Sequence, residues 1–507
     1  MLKHNLIANY LGQIWNILMR LALIPLYIHY IGIESYGLIG LFGVILAGLN
    51  LFDMGMTPTL SREMASFTAG EYTPESIRDL LRSIEIITFG IATSIAVTLT
   101  LSSHWLASSW LQTNQLSLEV VSQTLTIMGI VAALNFATTI YRSSITGLQR
   151  QILLNVVNTV LVTLQGLGAV AILAWFSPTI QAFFVWQGVI AITTLLTLAF
   201  TLYRILPRAK RRGQFSLKSL RGVWTFAGGM MGITLLSLLL TQVDKILLSR
   251  LLSLKDYGYY TLAATVASAL TILVSPITQA WFPRLTQLVT SDDYPALVRT
   301  YHEGAQLVTT IVGSVALVLI FFGDIFLQLW TQNSELSQRT AFLLSLLVIG
   351  NLLNSLMWIP YQTQLAYGWT SLTVKINIVA VLFIVPAILW ATPRYGMVGT
   401  AYCWIILNAG YVLLGVHFMY RRILKAEKGR WYRRDIIYPL LPAIAVAITI
   451  RCFVALSIVA LSNNLLFQLL TLILIFLCLL CVMILMTSEI RTKLNVSYLL
   501  ISKLIKH

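Results

Sequence analysis

The chain has 507 residues, of which 58% are hydrophobic and only 10% charged, and its mean hydropathy is +0.82. A soluble domain of this length needs more charge on its surface, so that class is excluded. The net charge of +16 does not point to nucleic acid, because the basic residues sit between apolar runs, where a bilayer surface explains them better. In chain order the apolar runs predict spans near 6–30, 36–60, 84–106, 118–141, 152–176 and 180–204. They continue near 222–249, 257–282, 303–329, 340–366, 374–391, 396–420, 437–461 and 465–487. Each is close to the ~17–25 residues that cross hydrocarbon, with some allowance for tilt. The fold class expected is therefore an all-α polytopic membrane protein with about fourteen transmembrane helices. The N-terminal run carries Arg20 and no small-x-small site, so we do not read it as a cleaved signal peptide. Cys403, Cys452, Cys478 and Cys481 all fall in predicted spans and read as packing residues, including the Cys478/Cys481 pair with its redox-like spacing.

Lys and Arg give an orientation. One side of the spans takes Lys3, Arg62, Arg78, Arg82, Arg142, Arg150, the run 204–221, Arg284, Arg299, Lys375, the run 421–434 and the C-terminal lysines. The other takes Arg250, Lys255, Arg339 and Arg394. This asymmetry predicts cytoplasmic termini and an even number of spans. The two basic runs divide the chain into an N-terminal six-helix lobe (1–206), a linker (207–221), a second six-helix lobe (222–420), a second linker (421–436), an additional helix pair (437–487) and a tail (488–507). No predicted external connection is long enough for a catalytic domain.

Three anchors repeat at a constant offset. Gln13, Asn16 and Arg20 lie 221 positions before Thr234, Ser237 and Thr241, Tyr36-Gly37 the same distance before Tyr257-Gly258, and Gly147 the same before Gly368. A constant shift at separated anchors is the signature of internal duplication. Both copies start on the same side, so the lobes are expected to be parallel repeats.

Polar residues inside hydrocarbon-length sequence are functional hypotheses. Asn5, Asn9, Gln13, Asn16 and Arg20 make one helical face; Thr234, Ser237, Thr241 and Asp244 make another, with Lys245 about 100° away. Asn50, Asp53 and Thr57 form a third, Asn135, Thr138 and Arg142 a fourth, and Asn351, Asn354, Ser355, Trp358 and Gln362 a broader fifth. The bland alternatives stay open beside the functional ones. Asn and Gln bridge helices, Arg20 pairs with a buried acid, Asp53 neutralises Arg20 or Arg62, and Asp244 and Lys245 form gate ion pairs. Trp358, Tyr361 and Tyr367 read first as interfacial anchors and second as platforms for sugar rings. Glu85, Asp324, His29, His104 and His417 read as solvated or capping groups. The role of Arg451, mid-span in the last pair, stays open. No metal cluster, nucleophile-base set or phosphate-cradling loop is found, so no cofactor is expected.

Asn9-Tyr-Leu-Gly12, Pro25-Leu-Tyr27, Ile31-Gly32…Tyr36-Gly37, Asp53-Met-Gly55, Gly147-Leu-Gln-Arg150, Asp244-Lys-Ile-Leu-Leu-Ser249, Tyr257-Gly-Tyr-Tyr260 and Tyr395-Gly-Met-Val-Gly-Thr-Ala401 together resemble the polysaccharide transporters. The group is the Wzx-type O-antigen flippases of the multidrug/oligosaccharidyl-lipid/polysaccharide exporter superfamily. The resemblance covers about residues 5–420; the last two spans depart from a twelve-helix minimum and are similar to the lipid II flippase branch. It implies two lobes around a central cavity, alternating access, a bacterial inner-membrane location and export of an undecaprenyl-pyrophosphate-linked oligosaccharide. It also implies dealings with the downstream polymerase and chain-length machinery.

Such a substrate is an anion joined to a large polar glycan, so its path needs a hydrogen-bonding lumen with fixed positive charge. The residues expected to line it are Asn9, Gln13, Asn16, Arg20, Asn50, Asp53, Asn135, Arg142, Thr234, Ser237, Thr241, Lys245, Asn351 and Gln362. Arg20 is suited to bidentate pyrophosphate contact, and Asp244 and Asp53 to ion coupling or gating. With no P-loop, energy must come from an ion gradient or from consumption of product. The rival readings are a multidrug cation exporter, which wants an anionic lumen, a lipid II flippase, a membrane polymerase or ligase of lipid-linked glycans, and a scaffold for a glycan-assembly complex.

Overall fold

The computed structural model describes residues 2–207, 211–216 and 235–491, apart from positions 54, 69, 71, 212, 236–237, 240, 370, 457–463 and 490. Thr234 and Ser237, most of the linker 207–221 and most of the tail 488–507 lie outside the described residues. The long apolar runs fold as helices, since hydrocarbon leaves the backbone no other partner for its N–H and C=O groups. They are α1 (Leu2–Leu49), α2 (Met56–Thr68), α3 (Pro74–Trp105), α4 (Leu118–Gly147), α5 (Gln151–Trp175) and α6 (Ile180–Ile205). Further on come α7 (Leu254–Thr290), α8 (Tyr294–Thr331), α9 (Ser334–Leu356), α10 (Trp358–Ala366), α11 (Ser371–Gly410), α12 (Val416–Arg422), α13 (Tyr438–Leu456) and α14 (Leu465–Met486).

Starts are written in the local sequence. Thr73 ahead of Pro74, Ser117, Thr179, Asp293 and Asn333 each accept a hydrogen bond from a backbone N–H of the first turn. Eleven helices among the described residues are long and apolar enough to cross a membrane, so the chain is a multi-pass membrane protein. Two of them join two expected spans across a glycine with positive φ, Gly32 (φ 78°) in α1 and Gly396 (φ 58°) in α11. A side chain is disfavoured at such angles, and the chain turns there. Of the expected span 222–249, residues 241–251 are described as helical.

Two compact units divide at Gly258 and Tyr259, past the basic linker at 207–221 that was expected to separate the lobes. The reason is local. Residues 249–258 pack on the first unit's own loops. Gln112 and Ser253 form an isolated parallel bridge, with Leu254 N donating to Gln112 O at 2.7 Å. Gln112 Nε2 donates to the Arg250 carbonyl at 3.1 Å, and Trp110 Nε1 to Ser249 Oγ at 3.0 Å. Arg250 stacks on the Trp110 ring at 5.2 Å. The Tyr-Gly motifs of the two copies meet here. A Cβ at Gly37 would lie 2.6 Å from the Leu254 carbonyl oxygen, and one at Gly258 would overlap the Ile33 carbonyl oxygen.

The first unit's core joins α2, α3, α4 and α6 through Leu60, Met64, Leu81, Ile84, Ala132, Ile140, Ile145 and Leu198, all buried. Two acids inside it escape a periodicity reading. Glu85 was expected to be solvated or capping. It is instead buried, 2% exposed, and accepts from Tyr141 and Tyr203 at 2.9 Å each and from Arg82 at 3.2 Å. Two phenols and one guanidinium make burial of that carboxylate tolerable. Glu34, also buried, takes the backbone N–H groups of Asn114 at 2.8 Å, Gln115 at 2.9 Å and Leu116 at 3.4 Å. It orders the loop between α3 and α4. Glu34→Gln removes the charge and sets an NH2 against the Gln115 N–H, which loses its 2.9 Å bond to Oε2 and keeps at most the 3.2 Å one to Oε1. The thermal midpoint of the purified protein should fall by the equivalent of about 1–3 kcal/mol, and an unchanged midpoint would remove this role.

The second unit packs α8 against α13 and α14 through Leu317, Phe322, Ala443, Ala447, Leu472, Leu479 and Met483. Polar groups fasten the same contact. His302, fully buried, faces Asp435 Oδ2 with Nδ1 and Glu427 Oε2 with Nε2, the latter at 2.9 Å. Each ring nitrogen thus has a carboxyl oxygen as its partner. Gln306 Nε2 donates to Asp435 Oδ1 at 2.9 Å, and the backbone N–H of Glu489, beyond α14, donates to Gln306 Oε1 at 3.1 Å. Arg430 reaches Glu489 at 3.2 Å. Asp324, expected to be solvated or capping, pairs with Arg451 at 2.7 Å. The Arg451 guanidinium also lies 5.8 Å from the Phe322 ring, at a break in α8 where Phe322 has φ −128°, ψ 22°. Both interactions tie the additional helix pair to α8.

Candidate functional site

The polar face of α1 is carried by Asn16 and Arg20, with Asn9 and Gln13 on the same helix, their side chains outside the described ones. Asn16 Nδ2 donates to the Gly12 carbonyl one turn back at 2.7 Å, which leaves its side-chain oxygen as an acceptor. Trp15, beside it, fastens α1 to α5 through Thr163 Oγ1 at 2.9 Å. Arg20 is exposed. On α4, Asn135 donates to the Val131 carbonyl at 2.8 Å and buried Thr138 to Leu134 at 2.8 Å. Arg142, a turn further along the same face, is exposed.

The fold brings these two faces together. Arg20 and Arg142 are close enough for their charges to act on one another, and neither forms an ion pair with a carboxylate among the described residues. A pair of like charges with no counter-ion is a standing electrostatic cost in a membrane-embedded bundle. An anion between them relieves it, and guanidinium planes are shaped to grip phosphate oxygens two at a time.

Asp53 does not supply that counter-charge. Its carboxylate accepts from Thr57 N at 3.1 Å and also from the Thr57 hydroxyl, capping the start of α2. Arg62, outside the candidate spans, has its own partner in Glu63, with Nε to Oε1 at 2.9 Å, and that hydrogen bond holds its pKa above the ordinary guanidinium value. Asn50 is exposed at the end of α1. On the described part of the seventh span, half-buried Lys245 donates from Nζ to the Thr241 carbonyl at 3.3 Å. Asp244 has interactions of its own. The first unit thus brings Arg20 and Arg142 together; no described contact joins Asp53, Asp244 or Lys245 to them.

Asn351 and Gln362 belong to the second unit. Asn351 Oδ1 accepts from Trp404 Nε1 at 2.8 Å, and Gln362 is half-buried on α10. Polar groups near them that the sequence reading did not single out include Asn377, Asn408 and Gln364. Buried Asn408 accepts from Asn354 Nδ2 at 2.8 Å. The spacing of 54 residues between those two explains why one-helix periodicity could not show the pairing.

Residues 2–289 match a family described as "Polysaccharide biosynthesis protein". A curated protein of Shigella flexneri, "Putative O-antigen transporter", is 24% identical over 247 residues, 48% of this chain and 57% of the relative, so the match spans little more than half of that relative's length. Among solved structures, "Lipid II flippase MurJ, inward closed conformation" superposes with a TM-score of 0.63 at 13% identity, covering 94% of this chain and 97% of that one. An inward-facing multidrug resistance MATE family transporter of the MOP superfamily gives 0.62 at 14% identity, covering 82% and 96%. At these identities the two structures speak for the fold, which this chain shares.

Proposed function

As the chain belongs to the polysaccharide biosynthesis protein family, we propose that it moves an undecaprenyl-pyrophosphate-linked oligosaccharide from the cytoplasmic to the outer leaflet of the bacterial inner membrane by alternating access, with both termini cytoplasmic. The observation that carries this reading is the Arg20–Arg142 pair, two neighbouring guanidinium groups without a carboxylate among the described residues. A pyrophosphate is the matching anion, since its two phosphoryl groups can each take one guanidinium fork. The same pair repels an organic cation, which weighs against a multidrug exporter. In a bilayer it is also expensive unless a substrate uses it. Asn9, Gln13, Asn16, Asn50, Asn135 and Thr241 would offer hydrogen bonds to the glycan along the path. Asp244 and Asp53 are the groups proposed to couple ions or gate.

The test is export of lipid-linked oligosaccharide in proteoliposomes with controlled ion gradients. Arg20→Gln and Arg142→Gln should each lower export by about 10- to 100-fold, the loss of one charge-assisted hydrogen-bonded contact, with folding retained on size-exclusion chromatography. Arg20→Lys should fall in between, because an ammonium keeps the charge and loses the fork. Wild-type export in both glutamine variants would end the pyrophosphate assignment.

A further inference from the structure

We propose that the second unit carries a neutral pyranose-binding subsite, a cavity between α9, α10 and α11 walled by Trp358, Tyr361 and Tyr411 and edged by Asn354, Gln364 and Asn377. This rests on the transporter reading above and names what part of the substrate the second unit takes. The cavity measures about 220 Å³. Measured as the space open to the centre of a water molecule, of which one water takes roughly 10–15 Å³, that is ample room for a sugar ring.

Its chemistry is specific. The lining residues are Asn354, Met357, Trp358, Tyr361, Gln364, Thr373, Ile376, Asn377, Tyr411 and Gly415. They include three aromatic rings and three carboxamides and no Asp, Glu, Lys or Arg. Without a carboxylate the cavity has no fixed charge for an organic cation, and without a basic group it has none for phosphate. A pyranose fits both halves of the lining: its C–H face lies on an aromatic ring, and its neighbouring hydroxyls, each donor and acceptor, pair with carboxamides. The rings of Trp358 and Tyr361 stand 6.3 Å apart at 79°, so they form two walls set nearly at right angles. Of the aromatics read first as interfacial anchors and second as sugar platforms, Trp358 and Tyr361 line the cavity and Tyr367 does not.

Each carboxamide is held at one end and unused at the other. Thr373 Oγ1 donates to Gln364 Oε1 at 3.1 Å, Tyr411 OH to Asn377 Oδ1 at 3.4 Å, and Asn354 Nδ2 to Asn408 Oδ1 at 2.8 Å. Gln364 Nε2, Asn377 Nδ2 and Asn354 Oδ1 have no partner among the described residues. Gln364 is 3% exposed as a residue, and it lines the cavity. Two unused donors, on Gln364 and Asn377, and one unused acceptor, on Asn354, suit hydroxyls that both donate and accept.

The experiment is saturation-transfer NMR on the full-length protein in detergent, with methyl glucopyranoside and methyl N-acetylglucosaminide as probes and tetramethylammonium and inorganic pyrophosphate as comparisons. Transfer to pyranoside ring protons is expected, about tenfold weaker in Trp358→Leu and in Gln364→Leu, two variants that remove different halves of the site. Absence of transfer to both pyranosides, or undiminished transfer in both variants, overturns the proposal, as does a Trp358-dependent signal from tetramethylammonium alone. The same two variants go into the export assay. Unchanged export there, with Arg20→Gln inactive, removes the subsite and keeps the transporter. A wild-type protein that exports nothing removes the transport reading and leaves the subsite to the NMR result.

Discussion

His302→Leu should lower the thermal midpoint of the purified protein by the equivalent of about 3–5 kcal/mol, the usual cost of removing one partner from a buried ionic cluster. The residue is 0% exposed, and so is Asp435. Without the imidazole, Asp435 keeps Gln306 as its side-chain donor among the described residues, and Glu427 keeps Arg430 at 3.7 Å. A carboxylate so enclosed must stay charged with half its partners gone or take up a proton. The double variant His302→Leu with Asp435→Leu should recover much of the loss, because both polar partners leave together and an apolar contact takes their place. The measurement is thermal unfolding in detergent for the wild type, both single variants and the double. A single variant with the wild-type midpoint would show that the cluster does not hold the helix pair. A double no better than the worse single variant would show that the cost lies in shape and not in charge.

Gly258→Ala is the second change with a large expected effect, about 3 kcal/mol, at the upper end for overpacking. The atom in the way is the Ile33 carbonyl oxygen. It is backbone, so no rotamer change makes room, and α1 and α7 must separate where the duplicated motifs cross. Gly37→Ala should behave likewise against the Leu254 carbonyl oxygen, with slightly more slack at 2.6 Å. Gly43 and Gly48 lie on the same helix as Gly37 with nothing within 4 Å of an added Cβ. Alanine there should be neutral or stabilising by up to about 1 kcal/mol, since it restores helix propensity. Expression yield and monodispersity of the four variants decide the matter. Equal behaviour at Gly37, Gly258, Gly43 and Gly48 would mean that the crossing bears no weight.

The all-α class and most of the apolar spans were legible because they rest on composition and run length, which a bilayer imposes directly. The polar faces of α1 and α4 were legible for a similar reason, since helical period places Asn16 with Arg20 and Asn135 with Arg142 without any tertiary knowledge. That Arg20 and Arg142 approach each other was not legible, because no periodicity relates two different helices. His302 escaped notice for the same reason, its partners standing 125 and 133 positions away. Glu85 was misread because an acid near a span end looks like a cap, and only Tyr141 and Tyr203 from two other helices reveal its burial. Gln364 fell off the face traced through Asn351, Asn354, Ser355, Trp358 and Gln362, which ran on as one helix although α9 ends at Leu356 and a new helix starts at Trp358. The helical phase is lost between α9 and α10. Asn377 stands on α11, beyond the reach of that face.

The Arg451–Asp324 pair also bears on how the protein is made. Its members are 127 residues apart in the chain, and α8 enters the membrane before α13 has been synthesised. At roughly 5–20 residues per second, Asp324 spends on the order of ten seconds without its cation. Asp324 stands seven residues from the end of α8, where an unpaired charge opposes insertion by less than the roughly 2.5–3.5 kcal/mol of a span centre, so α8 is held in the bilayer by its apolar length until the ribosome delivers the partner. The last two helices are therefore the step that relieves an earlier insertion strain, and a nascent chain arrested before Arg451 would be the form that quality-control proteases meet first.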